Sequence, residues 1–138
     1  MDLDRYGPWA VVAGASEGTG RAFCEQLAAA GIHCALLARR AEPLDNLAAE
    51  LEAAHGVECL VLPVDLSDAN AVDEIFSALG GREVGLFISN AGADTVNAPF
   101  LDAELDHWID LVQRNVMTLM RLSYLFAGPM RERGRGGV

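Results

Sequence analysis

The segment Gly14-Ala15-Ser16-Glu17-Gly18-Thr19-Gly20 spaces its glycines as GxxxGxG. Glycines so placed let a backbone approach a pyrophosphate, and a helix opening behind them offers unpaired N–H groups and a positive dipole end to the same anion. The same glycines would also serve a plain strand-to-helix turn, so the spacing gains weight only from its context. Ahead of it Trp9–Ala13 (WAVVA) is an apolar run, and behind it residues 19–30 place Phe23, Leu27 and Ala30 at helical spacing. Strand, glycine loop and helix in that order are what dinucleotide chemistry needs.

A second apolar run, His33–Ala38 (HCALLA), ends at Arg39-Arg40. The end of the second strand selects between nicotinamide cofactors, because a carboxylate there hydrogen-bonds a ribose 2′-hydroxyl whereas arginine accommodates a 2′-phosphate. Two adjacent guanidiniums without an acid favour NADP(H) over NAD(H). An ordinary solvated surface is the alternative reading of Arg39 and Arg40, and Glu17, near the same corner, counts mildly against a phosphate.

These groups need elements to hold them. Gly31 falls where a helix C-cap is expected, which closes one βαβ unit. Residues 44–55 then carry Leu44, Leu47, Leu51 and Ala54 on one helical face, and 57–64 (VECLVLPV) read as a strand. Asp65-Leu66-Ser67-Asp68 close that strand with turn and N-cap types, and Val72, Ile75, Phe76 and Leu79 mark a third helix ending at Gly80-Gly81. Val84–Ser89 (VGLFIS) is a fourth strand. After Asn90-Ala91-Gly92 the segment 93–101 is irregular. Asp102 is then placed to cap a long helix with Leu105, Ile109, Val112, Val116, Leu119 and Met120 on one stripe, broken or ended by Gly128-Pro129. Residues 131–138 read as a basic, glycine-rich turn. Continuously apolar strands separated by helices predict an α/β Rossmann-type fold over residues 1–138: a parallel sheet in the order 3-2-1-4, with helices on both faces.

The totals agree with one domain: 138 residues, 51% hydrophobic. A net charge of −10 disfavours nucleic acid and anionic membrane surfaces as partners, although contact-range dipoles and arginines can still bind a dinucleotide. Cys24, Cys34 and Cys59 show no metal-ligand or disulfide spacing and read as buried thiols of a reducing compartment. The acidic N-terminus lacks the features of a signal peptide, and no apolar stretch is long enough to span a membrane, so the expected location is cytoplasmic.

The chain resembles the short-chain dehydrogenase/reductase family, whose cofactor loop carries GxxxGxG. Further segments match in order. Asp65, in Val64-Asp65-Leu66-Ser67, matches an aspartate that contacts the adenine amino group. Ser89-Asn90-Ala91-Gly92 matches an Asn-Asn-Ala-Gly motif, with serine for the first asparagine. Asn115 matches a helix asparagine that supports a proton-relay water, and residues 130–138 resemble the turn into a fifth strand. Thr19 stands where the family usually has an aliphatic residue. Read alone, Asp65 is also a helix N-cap candidate and Asn115 an exposed helix residue.

The resemblance implies hydride transfer between a nicotinamide and an alcohol or carbonyl substrate. It assigns cofactor contacts to Gly14, Ser16, Glu17, Gly18, Thr19, Gly20, Arg39, Arg40, Asp65, Leu66, Asn90, Ala91 and Gly92, a supporting catalytic role to Asn115, and no metal site. It also implies a serine after the fifth strand and a tyrosine and lysine four residues apart, the lysine lowering the tyrosine pKa. Tyr6 and Tyr124 are the only tyrosines, and the chain has no lysine. A truncated chain is therefore expected, with an open edge on the fourth strand and an uncovered apolar helix face that family members commonly bury in a dimer. Two functions follow as alternatives: the cofactor half of an NADP(H)-dependent oxidoreductase, or a nucleotide- or partner-binding fragment without catalysis. A phosphate-binding NTPase is disfavoured, since GxxxxGK[ST] is absent.

Overall fold

A computed structural model describes residues 2–92 and 96–138 of the chain, so 93–95 of the expected irregular segment lie outside the described residues. The elements are α1 (Leu3–Tyr6), β1 (Trp9–Ala13), α2 (Gly18–Ala29), β2 (His33–Ala38), α3 (Ala41–His55), β3 (Cys59–Pro63), α4 (Ala71–Leu79), β4 (Val84–Ser89), α5 (Leu105–Val112), a π-helical stretch Gln113–Met117, and α6 (Thr118–Arg133). The four strands form one parallel sheet in the order β3-β2-β1-β4, as the apolar runs and right-handed crossovers require.

The sheet is covered on both faces, which explains why β1 is apolar at every position. Trp9, Val11 and Ala13 join Val72, Ile75, Leu122 and Phe126 in one core cluster. Ala10 and Val12 join Cys24, Leu27, Leu44 and Leu47 in the other. Alternate side chains point to opposite faces, so each face draws on every second residue. Crossing from β1 to β4 reverses the direction in which strands are added, and the carboxyl ends of these strands frame the crevice where ligands of open α/β sheets bind.

Several boundaries differ from the sequence expectation. Helix α3 starts at Ala41, ahead of Leu44, because Pro43 sits in its first turn, where a missing N–H costs nothing. Strand β3 is shorter than 57–64, since only Cys59 to Pro63 pair with β2. Glu104, not Asp102, precedes α5. Helix α1, at four residues, is too short for periodicity to detect.

The largest correction concerns Gly128-Pro129, through which α6 runs without ending. An interior proline costs a helix about 3 kcal/mol. The turn beyond it is held from outside: Met130 is buried, Arg133 Nη2 donates to the Val84 carbonyl at 2.8 Å, and Gly134 caps the helix in the left-handed region at φ 70°.

The edge of β4 is also less open than expected. Gly137 N–H donates to Gly85 O and Phe87 N–H donates to Gly137 O, both at 3.0 Å, which begins a fourth parallel pairing, on the outer edge of β4. Arg135 ties this turn to the N-terminus by donating to the carbonyls of Asp4 (2.9 Å) and Gly7 (3.2 Å) and pairing with Glu83. Among the described residues no helix is long and apolar enough to cross a membrane.

Candidate functional site

The carboxyl ends of the strands open onto a cleft of about 640 Å³, within the usual range for ligand sites. Gly14, Ser16, Glu17, Arg39, Arg40, Asp65, Leu66, Asn90, Ala91 and Gly92 all line it, so four separate segments converge as the sequence reading expects. Ala38, Val64 and Arg114 line it too. The first two merely extend the strand ends already identified. Arg114 had no motif to mark it, and its position one residue before Asn115 was the only available signal.

The glycine loop is drawn tight by its neighbours. Gly14 and Ala15 donate to the Leu37 carbonyl at 2.8 and 3.1 Å. From the other side Asn90 Nδ2 donates to Gly14 O at 3.3 Å and Asn90 N–H to Ala13 O at 3.0 Å. A Cβ on Gly20 would stand 1.9 Å from the Gly14 oxygen, so the first turn of α2 can pack under the loop only as glycine. Gly18 has φ 56° and nothing within 4 Å of its Cβ direction.

At the N-cap of α2, Glu17 makes no side-chain capping bond. The first-turn N–H groups, those of Gly18, Thr19 and Gly20, are thus presented at an exposed helix end that carries positive partial charge. Gly18, Thr19 and Gly20 do not line the cleft with side chains, so their contribution is backbone and shape.

Asp65 Oδ1 accepts from Ser67 N–H at 2.9 Å and from Ser67 Oγ at 2.7 Å. The backbone bond from Ser67 is the main reason its carboxyl lies below the ordinary aspartate range; the Ser67 hydroxyl and the charges of Arg39 and Arg114 add to it, against partial desolvation. Asp65 is therefore an ionised acceptor at neutral pH. Its Asx-type turn with Ser67 shows that the N-cap alternative was misplaced, since Asn70 holds the cap position of α4.

Asn115 lies in the π-helical stretch and does not itself line the cleft, but it touches a residue that does, Gly92. Its Nδ2 donates to the Leu111 carbonyl at 2.9 Å. A Cβ on Gly92 would stand 2.1 Å from Asn115 Oδ1, so the loop after β4 and the helix touch at a glycine. The contact falls within a π turn, a feature common at functional sites.

The three cysteines are held in the thiol form by burial. Burial pushes the Cys24 thiol up to about 12 and the Cys59 thiol up to about 11, and raises Cys34 as well. Cys59 is only half-buried, a small departure from expectation. No group of three or more potential metal ligands occurs among the described residues.

The short chain dehydrogenase family profile matches residues 8–138. A very-long-chain 3-oxoacyl-CoA reductase of Anas platyrhynchos is 34% identical over 96% of this chain and 44% of its own length. A solved 7beta-hydroxysteroid dehydrogenase superposes with a TM-score of 0.92 at 30% identity, over 97% of this chain and 53% of the other. L-Sorbose reductase from Gluconobacter frateurii, solved with NADPH and L-sorbose, superposes at 0.87 and 30% identity, over 99% and 52%. The chain thus spans about half the length of the relatives it matches. With its Rossmann sheet, its glycine loop and its match from residue 8 to residue 138, the chain belongs to the short-chain dehydrogenase family.

Proposed function

We propose that this chain is the cofactor-binding half of an NADP(H)-dependent oxidoreductase that interconverts an alcohol and a carbonyl. The observation that carries the reading is the convergence of the glycine loop, Arg39-Arg40, Asp65 and Asn90-Ala91-Gly92 on one cleft. The residues fit the group: Gly14, Gly20 and Gly92 make close approaches that a Cβ would block, while the space over Gly18 stays open in front of the N-terminus of α2.

In this reading the first turn of α2 holds the pyrophosphate and Ser16 donates to it. Arg39 and Arg40, exposed at the end of β2, receive the 2′-phosphate, with Glu17 opposing them mildly. Asp65 accepts from the adenine amino group, and Ala91 and Gly92 border the path towards the nicotinamide. Asn115 is a supporting residue that keeps the helix against Gly92. Hydride transfer is the chemistry that a bound nicotinamide supplies. The relatives' names, reductases and dehydrogenases of oxo and hydroxy compounds, support that reaction class.

Calorimetric titration tests the cofactor preference. NADP⁺ is expected to bind at least about tenfold tighter than NAD⁺, and the Arg39→Ala/Arg40→Ala double variant to lose that margin. Equal affinities in the unaltered chain would overturn the NADP(H) assignment.

A second reading, nucleotide binding without turnover by these residues, is favoured by the tyrosines. Tyr6 packs near Gly85 and Gly137 at the far end of β4 from the cleft, and Tyr124 is 87% exposed on α6. NADPH oxidation with a panel of ketones by the full-length protein separates the two: turnover supports the first reading, and nucleotide binding without turnover of any ketone supports the second.

A further inference from the structure

A second cavity, of about 380 Å³, lies at the opposite end of the sheet from the cleft at the strands' carboxyl ends. It opens between α4 and α6 at the amino end of β4. Its floor is apolar, since Leu79 at the end of α4 and Phe126 on α6 belong to the core beneath. Its walls are apolar but uncovered: Phe76 is 59% exposed, Pro129 is exposed and Leu125 is half-buried. Phe76 and Leu79 are one turn apart on α4, as are Leu125 and Pro129 on α6, so each helix turns a short apolar edge to the groove.

The mouth of the groove is polar and mainly positive. Arg82 and Arg133 line it with one carboxylate, Glu83. Glu83 pairs with Arg135 and lies 3.4 Å from Arg133 Nε, which is buried and makes no hydrogen bond among the described residues. No carboxylate among the described residues pairs with Arg82. Its side chain is nevertheless held in place. Nη1 donates at 3.0 Å to the Leu79 carbonyl, at the open end of α4, and the guanidinium carbon stands 5.0 Å from the centre of the Trp9 ring. A guanidinium has five N–H donors, so most of those on Arg82 remain for a ligand.

Apolar walls that end at incompletely neutralised guanidiniums match an apolar chain that ends in an anion. Two arginines against one carboxylate suit a head of single negative charge, and the planar fork of a guanidinium suits a carboxylate. A net charge of −10 disfavours an anionic lipid surface as the source of that head, which favours a monomeric ligand. The pairing begun by Gly137 extends the sheet beyond β4, away from α4, and so leaves the groove open.

We propose that this groove binds a monomeric carboxylate amphiphile, its single apolar chain between Phe76 and Leu125 and its carboxylate on Arg82 and Arg133. The site shares no residue with the cofactor cleft and does not depend on the cofactor reading.

Amide-resolved NMR titration of the chain with octanoate, decanoate and decanol, each below its micelle or solubility limit, tests the proposal. Decanoate is expected to shift the amides of Phe76, Arg82, Leu125 and Arg133. It should bind about fivefold tighter than decanol, the scale of one exposed ion pair. Octanoate should bind about fourfold weaker than decanoate, or about twofold per methylene for a chain half covered by the groove. Arg82→Gln should bring decanoate down to the affinity of decanol. Arg131→Gln removes the same charge from α6 outside the groove and should change neither. Phe76→Ala, at an exposed position where the fold tolerates substitution, should weaken all three probes about threefold, and it decides the matter if Arg82→Gln fails to fold.

Equal affinities for decanoate and decanol, or equal losses in Arg82→Gln and Arg131→Gln, overturn the proposal. Shifts confined to the cleft or to α5 overturn it as well, and so does a melting temperature that falls as decanoate is added, the mark of a detergent effect. Concentration-dependent shifts at Phe76 and Leu125 without ligand would make a second copy of the chain the occupant. Shifts with phosphatidylglycerol vesicles but none with decanoate would make it a lipid surface. Either result contradicts a monomeric carboxylate.

Discussion

The β1-β2-β3 side of the molecule and the outer face of α5 and α6 are both rich in apolar residues, yet only the first is covered. On the α2-α3 face Leu27, Leu36, Leu44 and Leu47 are fully buried. Along α5, the π turn and α6, Leu105, Ile109, Val112, Val116, Leu119 and Met120 keep between 37% and 66% of their surface exposed. Helix α6 shows both treatments at once, since Leu122, Phe126 and Met130 are in the core while Tyr124 faces solvent. Apolar periodicity therefore reports that a helix exists and which stripe is apolar, but not whether anything packs on that stripe. Phe76 gives the same lesson in α4, where it helps to mark the helix in the sequence and is 59% exposed.

The contrast is broken or upheld most strongly by truncating one residue on each side. Leu27→Ala is expected to cost about 2–5 kcal/mol in urea unfolding. Ile109→Ala should stay within about 0.5 kcal/mol. Equal losses at the two positions would mean that the outer stripe is packed in solution.

Gly20→Ala sharpens the difference between a glycine that is needed and one that is tolerated. A methyl group 1.9 Å from the Gly14 oxygen must displace the loop, at a cost near about 3 kcal/mol, the upper end of ordinary overpacking, with loss of dinucleotide binding. Gly128, with open space around its Cβ direction and a helical backbone, should gain up to about 1 kcal/mol on substitution by alanine. Thermal unfolding of the two variants checks both signs.

A smaller effect is expected at the mouth of the cleft. Glu17→Gln removes a carboxylate beside Arg39-Arg40 and should tighten NADP⁺ a few-fold, about 0.5 kcal/mol, without altering NAD⁺ comparably. Weaker NADP⁺ binding in this variant would place Glu17 among the phosphate's supports, against the present account.

The smallest effect concerns pH. The folded-state carboxyl of Asp65 is lowered, so whatever it contributes to stability is present above the ordinary aspartate value and lost as pH falls through the lowered one. A carboxyl-detected NMR titration should find its midpoint below the ordinary aspartate value. Ser67→Ala, which removes the hydroxyl donor but leaves the backbone N–H, should return it part of the way. A midpoint at or above the ordinary value would contradict the hydrogen-bonded turn.

Much of the sheet side was readable because local signals and burial coincide there. Bounds Trp9–Ala13, His33–Ala38 and Val84–Ser89 agree between pattern and structure, since each run is apolar for a single reason, burial on both faces. The glycine loop and the cleft residues were legible because backbone chemistry dictates their types. What escaped depends on contacts distant in sequence. Pro129 is held inside α6 by anchors at Met130 and Arg133, the edge of β4 is met by Gly137, and Arg114 reaches the cleft because Thr118 docks on Leu66. No local pattern announces a tertiary anchor.

Amide-resolved NMR of the chain titrated with NADP⁺ tests the central claim, that the cleft at the strand ends is the cofactor site, most directly. Large shifts are expected at Gly14, Gly18, Gly20, Arg39, Arg40, Asp65, Leu66, Asn90 and Gly92, with little change along the exposed stripe from Leu105 to Val112. Shifts concentrated on that stripe, or none at the glycine loop at saturating nucleotide, would contradict it.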